Sequence, residues 1–310
     1  MFCFLLICSI SLCPSSRITG NSNGYVNISG CTFEKMGTSQ TGSVVFLQVS
    51  IAIEFVVERS IFSSCYGSSG AGVIYFNCLN GISSLNFVCS LNSSIISGTI
   101  HNSAAFAFIS SSTTGKNNVN YLSISESRGL ISPFEILKGT QSHQGVNSSF
   151  NYMGYYSGVG LQLSAQCQFK FSTVSSTYAT LHTSICFYNK LSISSSYVNF
   201  CNNSQTAKSS WGLIANYITS TTSIYSWVFY NNDRLSKLFA QEDGTCIVRS
   251  CKLDYNHQNS NIIITTPSTF DQTYNLELLG DSLCYRNEYT YIISNRNKST
   301  WAVFLIHCIF

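Results

Sequence analysis

The feature that most constrains this chain is a phrase that returns at a nearly fixed interval. Ser60 to Asn77, SIFSSCYGSSGAGVIYFN, reads as the end of a strand, a turn of small residues from Cys65 to Gly70, and a β-branched and aromatic strand, Val73-Ile74-Tyr75-Phe76. An earlier copy runs from Val26 to Phe33 and from Gly42 to Leu47. Phe33 and Phe62 are 29 residues apart, as are Phe46 and Tyr75. Towards the other end, Ser196 to Asn203, Ser226 to Asn232 and Ser250 to Asn256 are three versions of one alternating strand that stops at Asn. After Gly, Asn is the residue best able to take a left-handed turn conformation. Phe200 and Phe229 repeat the interval of 29, and Tyr230 and Tyr255 are 25 apart. Between Pro133 and Tyr188 strands can be placed but not their register.

A coil of this length with two or three short strands cannot bury its apolar face alone; stacking coil on coil does so. The sequence therefore predicts an all-β fold, a right-handed single-stranded parallel β-helix (solenoid) of about nine to ten coils over residues 24–266. A β-propeller needs about 40 or more residues per blade. Leucine-rich repeats need a Leu-x-x-Leu-x-Leu pattern that is missing. Phe62 and Ile74 are expected to face inward, with Gly67 to Gly72 forming a corner.

Composition agrees. Charged residues make up 9% of the chain, against roughly 25% in ordinary domains, so Ser, Thr and Asn must supply the polar surface. The net charge of +3 comes from thinly spread Lys and Arg, which predicts no nucleic-acid partner. Of 14 cysteines, Cys3, Cys8 and Cys13 lie in the first apolar stretch, and the rest show no zinc spacing, so no metal and no cofactor is expected. Buried thiols or a few disulfides are the open alternatives for them.

Residues 1–16, MFCFLLICSISLCPSS, have the length and apolarity of a secretory leader, although no Lys or Arg stands near the start. The alternative is a buried first strand. Five sequons follow, at Asn27, Asn92, Asn147, Asn202 and Asn297, usable for glycosylation where the chain is secreted. Pro267 breaks the repeat, and 267–294 reads as a cap over the open end. Residues 295–310 form a polar spacer and an apolar tail, WAVFLIHCIF, either a final strand or part of a membrane tether.

Phe200-Cys201-Asn202-Asn203 and Phe229-Tyr230-Asn231-Asn232 match the Phe-x-x-Asn repeat of polymorphic-outer-membrane-protein-type surface proteins, and Gly70-Ala71-Gly72-Val73 is a scrambled form of their Gly-Gly-Ala-Ile/Val motif. The chain resembles that family, and more closely its Cys- and Asn-rich relatives in parasitic protists. The repeat-motif residues carrying the resemblance are Phe33, Phe62, Gly70, Gly72, Phe200, Asn203, Phe229 and Asn232. The resemblance implies a parallel β-helix exposed on a cell surface or secreted, in some members acting in adhesion, with an unidentified protein or glycan as partner. The chain lacks the C-terminal run of alternating segments that builds a membrane barrel in the bacterial members.

Many parallel β-helices of the pectin-lyase-like kind are enzymes, so a catalytic constellation is the competing expectation. Glycosidases need two facing carboxylates and lyases a carboxylate-held Ca²⁺ with a basic residue. The 13 acidic residues give only Glu242-Asp243 in a turn and Glu54 with Glu58 beside Arg59, which read as solvated groups. Asp233, Asp243 or Asp254 converging with Arg234 or Lys252 would indicate an enzyme. The histidines are isolated from one another, and the grouping of His257 with Asp254 and Asn256 reads as a turn. Tyr152, Tyr155 and Tyr156 are candidates for a sugar-stacking platform, against the simpler alternative of core packing. The sequence thus predicts a non-enzymatic adhesion or recognition scaffold; a polysaccharide lyase or glycosidase is the alternative, and a degenerate fragment the third.

Overall fold

The computed structural model describes residues 9–10, 13–20, 24–96, 103–164, 166–189, 193–206, 212–218, 221–232, 237–241, 245–253, 262–265 and 276. Among these every strand pairing is parallel, and three sheets wind into a β-solenoid of about eight turns. A propeller, whose blades are antiparallel, is thereby excluded. The long sheet stacks Gly24–Ser29, Ile53–Ser63, Ile82–Leu91, Lys116–Ser125, Thr140–Ser149, Gln166–Ser175, Ile193–Cys201 and their successors, rung upon rung. The second sheet stacks Val45–Val49, Ile74–Cys78, Ala104–Ser111, Ser132–Leu137, Tyr156–Gln162, Thr183–Asn189 and Ile214–Ile218. A short third sheet of two-residue strands, from Tyr66–Gly67 to Ser204–Gln205, closes each turn.

The spacing read from the sequence is the register of the stack. Phe33 pairs with Phe62, Phe46 with Tyr75, and Phe200 with Phe229. The centre is harder to read because its turns differ in length: Ser83 and Asn117, on adjacent rungs, are 34 residues apart, whereas Ser123 and Asn147 are 24 apart. The 34-residue turn carries the polar loop around Ser112 to Gly115.

Inward side chains form apolar ladders. Phe33 stacks on Phe62 at 5.0 Å and Phe55 on Phe76 at 5.1 Å. Phe62, Ile74, Phe76, Phe169, Phe200, Trp227 and Phe229 are all fully buried. Each such aromatic contributes roughly 3–5 kcal/mol relative to Ala. His143 interrupts the inward ladder between Phe134 and Phe169, with ring centroids 6.3 and 6.4 Å away, and neither of its ring nitrogens has a hydrogen-bond partner. Burial holds its pKa down at about 3, so the imidazole is neutral.

The corners explain the Phe-x-x-Asn phrase. The third residue of each copy, Asn202 and Asn231, has φ of 56° and 51°, the left-handed turn expected of Asn. The fourth, Asn203 and Asn232, is buried and satisfies the backbone of the bend. Asn203 Nδ2 donates to the Val174 carbonyl at 3.0 Å and Asn232 Nδ2 to that of Phe200 at 2.8 Å, while Asn232 Oδ1 accepts from the Asn203 backbone N–H at 3.0 Å. Asn151 plays the same part at an earlier corner, donating to the Ile124 carbonyl and accepting from the Ser127 N–H. At the Gly67 to Gly72 corner, Gly70 has φ of 83°, and a Cβ on Gly72 would sit 2.0 Å from the Ala105 carbonyl oxygen. No side chain fits there.

Ser9–Ile10 pairs in parallel with Asn27 and Ile28 as the first rung, and Cys13 is disulfide-bonded to Cys31 with Cα atoms 5.2 Å apart. Residues 1–8, 11 and 12 lie outside the described residues. The cap assigned to 267–294 and the tail at 295–310 lie, but for Leu276, outside the described residues. Among the described residues no helix is long and apolar enough to cross a membrane.

Candidate functional site

Two outer faces of the solenoid gather the side chains with chemistry. The first lies on the second sheet, where register places Tyr75, Phe108, Glu135, Gly160, Cys186 and Ala215 in one outward column. Outward columns are ordinarily solvated, and Phe46 and Tyr75 at its start are part-exposed. Glu135 and Cys186 are nevertheless fully buried. Gly160, lying between them, leaves room for the Tyr156 ring, which a Cβ there would approach to 3.3 Å.

Glu135 Oε1 accepts from Gln162 Nε2 at 2.8 Å, and Oε2 has no partner among the described residues. Burial raises its pKa to about 8, against which a hydrogen bond from the Ser103 backbone acts only weakly, so the group is largely protonated at neutral pH. Cys186 is pushed up to about 12 by the same desolvation, and the Tyr156 phenol, which hydrogen-bonds the Cys186 sulfur, is likewise raised. Neither is a nucleophile at neutral pH. His182 sits above them, 5.6 Å from the rings of both Tyr155 and Tyr156 and within 3.2 Å of the Tyr217 hydroxyl through Nε2. Desolvation lowers its pKa to about 4.

The sequence grouping of three tyrosines is thus divided by the fold. Tyr155 and Tyr156 join the His182 cluster, whereas Tyr152 turns out on the third sheet and stacks on Tyr178 at 5.0 Å. His182 and Glu135 were missed. A lone carboxylate inside Ile131-Ser132-Pro133-Phe134-Glu135-Ile136-Leu137 carried a usable signal, since apolar neighbours on both sides foretell burial.

The second face is the open side of the long sheet. At one column every rung takes a left-handed residue: Gly30, Arg59, Phe87, Tyr121, Gly145, Phe171, Tyr197, Ser226 and Ser250, with φ between 48° and 68°. Gly fills this conformation without strain, but a bulky side chain pays roughly 1–2 kcal/mol. Four of the nine are aromatic. Phe87 stacks on Tyr121 at 4.9 Å and 9°, Phe171 on Tyr197 at 5.2 Å and 2°, and Tyr225 meets Tyr197 edge-on at 6.1 Å. Phe171, Tyr197 and Tyr225 are exposed. Stacking returns roughly 0.5–1.5 kcal/mol per pair, which at most balances the backbone cost.

The remaining sequence candidates fall as follows. Glu54 and Glu58 point outward on one strand, and Glu58 pairs with Arg59 at 3.0 Å on the surface. Asp233, Arg234, Glu242, Asp243, Asp254 and His257 lie outside the described residues, so the convergence that would mark an enzyme is neither seen nor denied. Among the described residues no group of three or more His, Cys, Asp or Glu could hold a metal. Asn92 and Asn202 are exposed at left-handed corners, whereas Asn27 and Asn147 are half-buried within the long sheet; Asn297 lies outside the described residues. Comparison with family models, with curated proteins and with solved structures gave no match.

Proposed function

We propose that the protein is a non-enzymatic recognition scaffold, displayed on a cell surface or secreted, that binds its partner through an exposed sheet face. The observation that carries this reading is the aromatic strip on the long sheet. Rings kept outward at left-handed positions, where glycine serves at other rungs, are a structural cost that stacking at most balances, and such strain collects at functional sites. An oxidising location is supported by the Cys13–Cys31 disulfide and by exposed corner sequons at Asn92 and Asn202. It agrees with the surface role implied by the Phe-x-x-Asn resemblance.

Surface biotinylation of intact cells that express the protein, with binding of the purified chain to those cells or their matrix, tests the reading. Labelling and saturable binding are expected. A protein found only inside, with the thiols of Cys13 and Cys31 both alkylatable, would overturn it.

A carbohydrate-active enzyme is the second reading, favoured by Glu135, whose carboxyl stays protonated near neutrality as a general acid must. It predicts release of reducing ends or unsaturated sugars from polysaccharide, abolished by Glu135→Gln. Its burial at 1% exposure argues for a packing role instead.

A further inference from the structure

Resting on the scaffold reading, we infer that the open face of the long sheet binds an uncharged, extended polysaccharide laid along the solenoid axis over the Phe87 to Tyr225 strip. Phe87, Tyr121, Phe171, Tyr197 and Tyr225 are contributed by rungs that follow one another, interrupted only at Gly145. That gap is roofed, because Tyr121 lies over Gly145, whose added Cβ would come within 2.9 Å of the ring. With rungs about 4.8 Å apart, the strip extends for about 24 Å, enough for several linked sugar rings.

Hydrogen-bonding rows flank the rings on both sides. One row, part-exposed to exposed, is Asn86, Asn120, Gln144, Lys170 and Ser196; in the other, Ser123, Asn147, Thr173 and Asn199, only Asn147 and Thr173 are part-exposed, while Ser123 and Asn199 are buried. Asn120 Nδ2 donates to Asn86 Oδ1 at 2.9 Å along the first row, while Asn86 Nδ2 donates to Ser84 Oγ at 3.0 Å. Aromatic faces between neutral amides and hydroxyls match a sugar, which has an apolar C–H face and a hydroxyl rim.

Charge selects among polymers. Lys170 is the one charged group in these two rows, and no carboxylate stands in them. The nearest ion pair, Glu58 with Arg59, closes one end of the strip, and Arg249 follows Tyr225 at the other. A polyanion needs many cationic contacts, which this face lacks. A protein partner would leave the amide rows to be matched group by group, whereas hydroxyls recur along a glycan at the pace of the rungs.

The test is affinity gel electrophoresis of the full chain through gels carrying neutral polymers, namely a β-1,4-glucan such as hydroxyethyl cellulose, a mannan, a galactan and a xylan, with heparin as the charged contrast. At least one neutral polymer should retard the protein, and heparin should not. Phe171→Gly and Tyr197→Gly should each weaken retardation by at least about tenfold in affinity, while thermal unfolding stays within a few degrees of the parent. Tyr152→Ala, on the third sheet, should bind as the parent does. Retardation by heparin alone, by no polymer, or undiminished in the two glycine variants would overturn the proposal. If the glycine variants lose no cell binding either, the strip is wrong but the scaffold reading stands; if cell binding is absent from the parent, the scaffold reading itself fails.

Discussion

The outward columns of the second sheet and of the long sheet share parallel register and rung spacing, yet one is covered and the other open. In the second sheet, Tyr155, Tyr156 and His182 fold over the column, and Glu135 and Cys186 beneath them are fully buried. In the long sheet Phe171, Tyr197 and Tyr225 pack on one another and stay exposed. Covering costs a polar group its water and so shifts its protonation; exposure leaves the rings available. The same repeat thus leaves a buried column on one side and an exposed aromatic strip on the other.

The comparison breaks most visibly at Glu135. Glu135→Lys places an unpaired charge under the tyrosine cover and is expected to lower unfolding free energy by about 3–5 kcal/mol, read by denaturant titration. Lys170→Glu on the open face should leave it almost unchanged. Equal effects would show that both faces are solvated alike.

Acidity sharpens the contrast next. The folded pKa of Glu135, about 8, lies above its ordinary value of 4.5, so its contribution is fully present below pH 4.5 and fades as pH rises through 8. His143, held down at about 3 from 6.5, contributes fully above pH 6.5 and loses its share as pH falls. The two oppose each other between 4.5 and 6.5. Glu135 faces Gln162, Tyr156, Cys186 and the Ser103 backbone, and His143 faces Phe134 and Phe169, with no charge to cancel either trend. Melting temperature against pH should therefore decline from about 6.5 to 8. Glu135→Gln should flatten that limb, and His143→Leu should reduce the acid one, to which His182, held down at about 4, also contributes.

The smallest effect is expected at the strip. Phe171→Gly and Tyr197→Gly each give up about 1 kcal/mol of stacking while relieving a left-handed backbone of similar cost. Net stability should move by less than about 1 kcal/mol in either direction. A larger loss would mean that the rings hold the sheet together and are structural.

Fold class and much of the register were legible because the repeat displays them directly. Phe33, Phe62, Phe200 and Phe229 are spaced as they stack, and Asn202 and Asn231 stop their strands by turning left. The faces were less legible. Alternation tells inward from outward but not what comes back to cover an outward residue, so the apolar neighbours of Glu135 could signal its burial but not that Tyr155, Tyr156 and His182 provide the cover. The left-handed column was hidden for a related reason. Phe87, Tyr121, Phe171 and Tyr197 look like ordinary strand aromatics, and only their shared rung position shows that each stands where glycine serves elsewhere.

One consequence concerns the end of the stack. A parallel sheet cut off at its first rung is a template on which another molecule can grow, and here Ser9–Ile10 lies across the Gly24–Ser29 edge while the Cys13–Cys31 bond tethers it. The adjoining Thr32–Glu34 carries the exposed pair Glu34 and Lys35. The disulfide thereby holds that strand over the edge: reducing it is expected to uncover Gly24–Ser29 and promote head-to-tail association, which light scattering would register as an increase in size.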